Sequence, residues 1–172
     1  HELYKYAKEE WIKAILWTEI NILWSLDSKL THKTVLLAKS LTWYQNIIAL
    51  TSKASLERHG NTYVTLDEIK EYSKDIICLS WPINWEIPYY ILSGQKEEKI
   101  VAKIREYEEV FEWEFYLELM YHNDIPKQKL ITEELIKLYE KYGFKVVATN
   151  NCYYIKKDDK KTQDVIQALG TG

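Results

Sequence analysis

The sequence predicts an α/β fold with a mainly parallel sheet covered by helices. Three observations carry that expectation. Apolar runs of strand length alternate with amphipathic stretches of helix length along the whole chain. The boundaries carry chemical signals: a hydroxyl and a carboxylate three residues apart at Thr65 and Glu68, Pro126 near one helix start, and Gly143 just past its end. The resulting βαβα rhythm is that of strands joined by crossover helices. Periodicity alone fits an open doubly wound sheet and part of a barrel equally well.

The elements follow in order. Residues 2–10 read as a helix, and 12–23 as a strand with its exit. Residues 33–38 form a second strand, and 43–58 a helix with Ile47, Ile48, Leu50, Ala54 and Leu56 as its apolar members. The Thr65 capping box opens a helix through Tyr72. Asp75 to Ser80 is a short buried strand, and 96–111 a helix with a charged face. Residues 115–119 are a strand. Residues 126–142 place Ile131, Leu135, Leu138 and Tyr142 on one helical stripe. After Gly143 comes the strand 145–149, and 158–169 is the last helix.

Totals exclude several classes. The chain has 172 residues, a formal charge of -3 and 47% hydrophobic residues, which is ordinary globular composition rather than disorder or coiled coil. The length suits a single domain over 1–172. Mild acidity gives no basic footprint for tight nucleic-acid binding by this segment alone. Cys78 and Cys152 are too few for a disulfide framework and fit a reduced, cytoplasmic protein. No apolar run is long enough to span a bilayer and no signal peptide is visible, so no membrane partner is expected. The chain opens on His1 without Met and closes on Gly170-Thr171-Gly172, so both ends read as cuts through a longer chain. No Gly-x-Gly-x-x-Gly or Walker-type loop occurs, which disfavours those nucleotide-binding folds.

In α/β folds the functional residues sit at the carboxyl ends of strands. Glu19 qualifies, as a carboxylate able to bind a metal or as a solvated strand-end side chain. His32 reads as a ligand or as a hydrogen-bonded structural histidine. Cys78, inside the apolar run Ile76 to Leu79, fits a buried inert thiol better than a nucleophile. Asn150, Asn151, Cys152 and Tyr153 follow a strand but are mostly poor metal ligands. His122 is a weaker loop candidate. No Ser/His/Asp or Cys/His arrangement has a local signature.

Several stretches resemble one family in one order. Leu30-Thr31-His32-Lys33-Thr34-Val35-Leu36-Leu37-Ala38-Lys39, then Trp43-Tyr44-Gln45-Asn46-Ile47, resembles a "His…LeuLeuAlaLys…GlyTyr-x-Asn-Leu" stretch. Phe115 to Leu119 with His122 and Ile125-Pro126-x-Gln128 resembles "PheTyrLeuGluLeu…His…IlePro-x-Gln". Val147 to Asn150 resembles the "ValAlaThrAsnAsp-x-His" turn, Gln167 to Gly172 the closing "Ile-Gln-Thr-Gly", and Tyr4 to Glu19 a "PheTyr…AlaLys…Gly-x-Glu" stretch. Together these are similar to the polymerase and histidinol phosphatase (PHP) domain at the amino end of bacterial DNA polymerase III alpha subunits.

That resemblance implies a partial distorted β/α (TIM-like) barrel lacking its first strands, within a DNA-directed DNA polymerase. It implies the rest of the polymerase chain, DNA and replisome subunits as partners. Family sites bind Zn, Mn or Fe-type divalent metals, and here the ligand pattern is eroded. Glu19 falls on the family's Glu, and His32 on, or one residue from, its His. Pro82 stands where the family has Cys, Asn151 where it has Asp, and Tyr153 where it has His. Proline and tyrosine cannot replace a thiolate and an imidazole. The expectation is a degenerate site with Glu19 and His32 as remnants, no stably bound metal and no catalysis by the fragment alone. The alternative is a free-standing PHP-type metal-dependent phosphoesterase.

One oddity remains. The chain has seven Trp and five Gly. Against the family pattern Trp11, Trp17, Trp43, Trp81 and Trp85 fall where the polymerases carry Gly. Trp and Gly together make about 7% of the chain, the usual Gly share. A gene using UGA for glycine, read with UGA as tryptophan, produces this pattern. The expectation is that some backbone around these residues is strained or exposed.

Overall fold

The computed structural model describes residues 2–25, 30–56, 63–122, 125–150 and 152–171. In chain order these form α1 (Glu2–Glu9), β1 (Trp17–Ser25), β2 (Leu30–Ala38), α2 (Leu41–Leu56), α3 (Leu66–Tyr72), β3 (Ile76–Leu79) and α4 (Glu86–Leu92). Then come α5 (Glu97–Val110), β4 (Phe115–Met120), α6 (Pro126–Tyr142), β5 (Val146–Thr149), a 3-10 turn (Lys157–Asp159) and α7 (Lys160–Thr171). The five strands make one sheet in the order β1-β2-β3-β4-β5, identical to their order in the chain.

Mixed α/β architecture is as expected, but the sheet is not mainly parallel. β1 pairs antiparallel with β2, and β2 antiparallel with β3. Only β3 with β4 and β4 with β5 are parallel. The first strand pair leaves no room for a crossover, because β1 ends at Ser25 and β2 begins at Leu30, whereas a parallel return needs a dozen or more residues. β1 starts at Trp17 rather than residue 12, and β2 starts at Leu30 rather than residue 33. Helix α4 was not expected: it has seven residues, includes Pro88, and buries Glu86, Ile87, Pro88 and Tyr90, so no amphipathic stripe marks it.

Local chemistry sets the other ends. Thr65 Oγ1 accepts from the Glu68 backbone N–H at 3.2 Å while the Glu68 carboxylate accepts from the Thr65 N–H at 2.9 Å. Gly143 ends α6 at φ 70° and donates to the Tyr139 carbonyl at 2.9 Å, a left-handed cap that glycine takes without strain.

Register divides the sheet into two faces. Ile20, Ile22, Thr34, Leu36, Cys78, Phe115 and Leu117 are buried. The apolar ones share one core with Leu50 of α2, Ile69 of α3, Ile87 of α4, Ile104 and Tyr107 of α5, and Ile131 and Leu135 of α6. Trp17, Glu19, Val35, Leu37, Leu79, Glu118 and Met120 lie on the other face and open on a cleft. At the far end α7 is exposed over most of its described residues and packs against the preceding turn.

The tryptophans are unevenly accommodated. Among the described residues four non-glycines take positive φ, and two of them are Trp11 at 57° and Trp113 at 68°. Trp11 is 96% exposed. Trp43 and Trp85 are buried, yet each leaves its indole N–H without a hydrogen bond.

Candidate functional site

A cleft of about 750 Å³ runs along the face opposite the core. Glu19 reaches it from β1. Its register partner is Val35, whose own partner is Leu79, so Glu19 lines up with the last residue of β3. Lys33, two residues from Val35 on β2, places Nζ 3.3 Å from Glu19 Oε2. The same ammonium stands 5.8 Å from the centre of the Trp81 ring. Both partners are well exposed, so the pair is worth only about 0–1 kcal/mol. Its interest is chemical: the cation beside Glu19 is a lysine.

His32 is not brought to this site. It pairs with Ile22, an even-numbered register position, while Glu19 and Lys33 occupy odd ones. Successive strand residues point to opposite faces, so His32 is buried in the helical layer. Its Nε2 lies 3.0 Å from the Tyr107 hydroxyl, and that hydroxyl donates to Glu86 Oε2 at 3.2 Å. The hydroxyl proton is thereby committed, and His32 must donate from Nε2. Its Nδ1 is buried without a partner. Burial, aided by the positive charge of Lys103, pushes the His32 pKa down to about 3. Tyr90 also donates to Glu86, at 2.9 Å, and Lys103 sits 3.4 Å away. This is a closed structural network.

The remaining expected positions divide. Pro82 and Tyr153 both line the cleft, as do His122, Asn150 and Cys152. Asn151 lies outside the described residues. Cys78 faces the core, 3.4 Å from the Thr34 hydroxyl, and burial pushes its thiol well above the usual range. It has no route to the cleft.

Three further polar residues line the same cleft, and the sequence reading did not single them out. Glu118 of β4 is buried at 6% exposure. Burial raises its carboxyl to about 7, and the neighbouring Thr149 hydroxyl opposes that rise. Gln128, at the start of α6, is completely buried. Gln128 Oε1 has no hydrogen-bond partner among the described residues, while the Thr149 hydroxyl serves the Glu118 carboxylate. The signal was a charged residue inside an apolar strand, Leu117-Glu118-Leu119, which alternation sends to the cleft face.

Among the described residues no group of three His, Cys, Asp or Glu is placed to hold an ion. Glu19 has an ammonium beside it, and proline and tyrosine offer neither thiolate nor imidazole.

Comparison with known proteins gives a consistent picture. The family model described as "PHP domain" matches residues 1–122. The chain is 33% identical to DNA polymerase III subunit alpha of Borreliella burgdorferi over 180 residues, covering 99% of the chain and 16% of the relative. It is 34% identical to the protein of that name from Helicobacter pylori over 188 residues, covering 99% and 15%. With the Thermus aquaticus protein of that name it shares 33% over 145 residues, 84% of the chain and 12% of the relative. The chain thus spans about a sixth or less of these relatives' length.

Proposed function

The chain belongs to the PHP family, and on that premise we propose that it is the PHP segment of the alpha subunit of a bacterial replicative DNA polymerase III. The observation that carries the reading is alignment over 99% of the chain with relatives of that name. The polymerase active site then lies in the rest of the protein, where DNA is bound and extended. Its partners are the remainder of the chain, DNA and replisome subunits, and its place is the cytoplasm. No helix among the described residues is long and apolar enough to cross a membrane.

Within the polymerase this segment is a structural platform. Its fold is part of a PHP-type β/α barrel formed as one unit over 1–172. Two features support that. Strand order equals chain order, without the reversal of a doubly wound sheet. The helices of the core pack on one face, and Phe144 and α6, beyond the family match, share that core. The metal site is degenerate. Lys33 sets a tethered cation against Glu19, and Glu19 and His32 are remnants that point apart. A free-standing phosphoesterase is the weaker reading, since the relatives carry the polymerase name.

The full reading frame and its product test this. The expected results are a long continuation after residue 172, primer extension by the whole protein, and less than about one tenth of an equivalent of Zn, Mn or Fe per chain after purification. A frame that stops near residue 172 overturns the polymerase assignment. A stoichiometric metal with phosphoesterase activity overturns the platform role.

A further inference from the structure

Helix α7 takes no part in the packed core. No described residue beyond Val146 joins that core, and among the described elements only the 3-10 turn before it packs substantially against α7. Its sequence nevertheless has one apolar side. Val165, Ile166 and Leu169 fall at i, i+1 and i+4 and, with Thr162, make a single stripe. Lys160 and Asp164 lie on the opposite side. The three apolar side chains are 59%, 57% and 80% exposed. A helix of 12 residues is marginal in water by itself, and this one carries β-branched Val165 and Ile166 together with Gly170. Helices of that length owe their stability to burial of the apolar face.

We propose that this stripe is a docking surface for the part of the same polypeptide that follows residue 172, folded back on α7 through apolar side chains. The inference rests on the polymerase reading above. The alignments with the relatives cover 99% of the chain, and so include α7, but only 16% and 15% of the relatives' length. Most of such a protein therefore lies outside residues 1–172, and on that reading α7 adjoins its continuation. Tethering decides the occupant. A stable interface between separate molecules engages about 20–30 residues on each side, far more than one stripe of a single helix. A segment tethered close by meets the stripe at an effective concentration of roughly millimolar, at which a small apolar contact is enough. A second copy of the chain, or a separate protein, has no such advantage.

The test uses the full-length protein carrying Cys152→Ser, so that the exposed native thiol does not compete. Leu169→Cys places a thiol on the stripe, and Asp164→Cys places one on the opposite side. Labelling by N-ethylmaleimide is followed by mass spectrometry of the α7 peptide. The thiol of Leu169→Cys is expected to react about tenfold or more slowly than that of Asp164→Cys, because it must wait for local undocking. Hydrogen exchange in the unsubstituted protein reads the same protection without a mutation, and slowed exchange across α7 is expected. With p-benzoylphenylalanine in place of Val165, irradiation is expected to link α7, within one chain, to a peptide beyond residue 172. Equal labelling at the two positions, exchange in α7 as fast as in an unstructured peptide, or a link to a second copy, to another protein, to residues 1–172 or to nothing each overturns the proposal. A reading frame that stops near residue 172 removes the polymerase reading together with this one, whereas a continuing frame with equal labelling removes the docking surface alone.

Discussion

Tyr107 fixes the protonation of His32: its hydroxyl sits 3.0 Å from His32 Nε2 while donating its own proton to Glu86. A neutral imidazole locked this way is part of the packing between β2 and α5.

The first prediction concerns pH. In the unfolded chain His32 takes up a proton near pH 6.5, and in the folded chain only near pH 3. The unfolded state therefore binds more protons between those values. This contribution is fully present above pH 6.5 and is lost as the pH falls toward 3. By pH 4 the loss reaches about 3 kcal/mol. Urea unfolding between pH 7 and 4 reads it, and His32→Gln flattens the slope. An NMR midpoint for His32 near 6.5 contradicts the network.

Glu118 has the opposite sign. Its folded pKa, about 7, lies above the ordinary carboxyl value of 4.5. The folded state holds the extra proton, so this contribution is present below pH 4.5 and is lost as the pH rises through 7. Glu118→Gln is expected to stabilise the chain by about 1–2 kcal/mol at pH 8, after allowance for solvent screening, and hardly at all at pH 4.5. Equal effects at both pH values would show that packing, not charge, is responsible.

Backbone strain at tryptophan is measurable. Trp11→Gly and Trp113→Gly each relieve a positive φ and are expected to raise stability by about 1 kcal/mol, because glycine takes that conformation freely. Gly143→Ala, at φ 70°, moves the other way by a similar amount. The codons provide an independent readout: UGG at Trp11, Trp17, Trp43, Trp81 and Trp85 refutes the glycine reading of UGA.

The two thiols should separate cleanly. Cys78 is buried, with its thiol held protonated, while Cys152 is exposed. Ellman's reagent is expected to modify Cys152 under native conditions and Cys78 only after unfolding. Native reactivity of both at equal rates contradicts the burial of β3.

The parts of the fold legible in the sequence were those written in local chemistry. The Thr65 capping box, Gly143 and the Ile131, Leu135 and Leu138 stripe each fix one element without help from the rest of the chain. Strand direction is not local, and the β1–β2 pairing was missed because β2 begins three residues earlier than its apolar run suggests. α4 was missed because burial on nearly every side erases periodicity. The same applies to the site. Glu19 was found by motif, but the one-residue parity that separates it from His32 exists only in the register. Glu118, Gln128 and Thr149 come from β4, α6 and β5, and no sequence spacing announces that they line one cleft.

Because each strand pairs with the one made just before it, the sheet can be extended as the polypeptide leaves the ribosome. No strand must wait for a distant partner to be synthesised, which keeps the separation between pairing partners short and limits the time that an open edge is exposed. Limited proteolysis of stalled nascent chains of increasing length should find β2 and β3 protected before β5 has emerged. Protection that arises only after the last strand is translated would place the cooperative unit at the whole sheet instead.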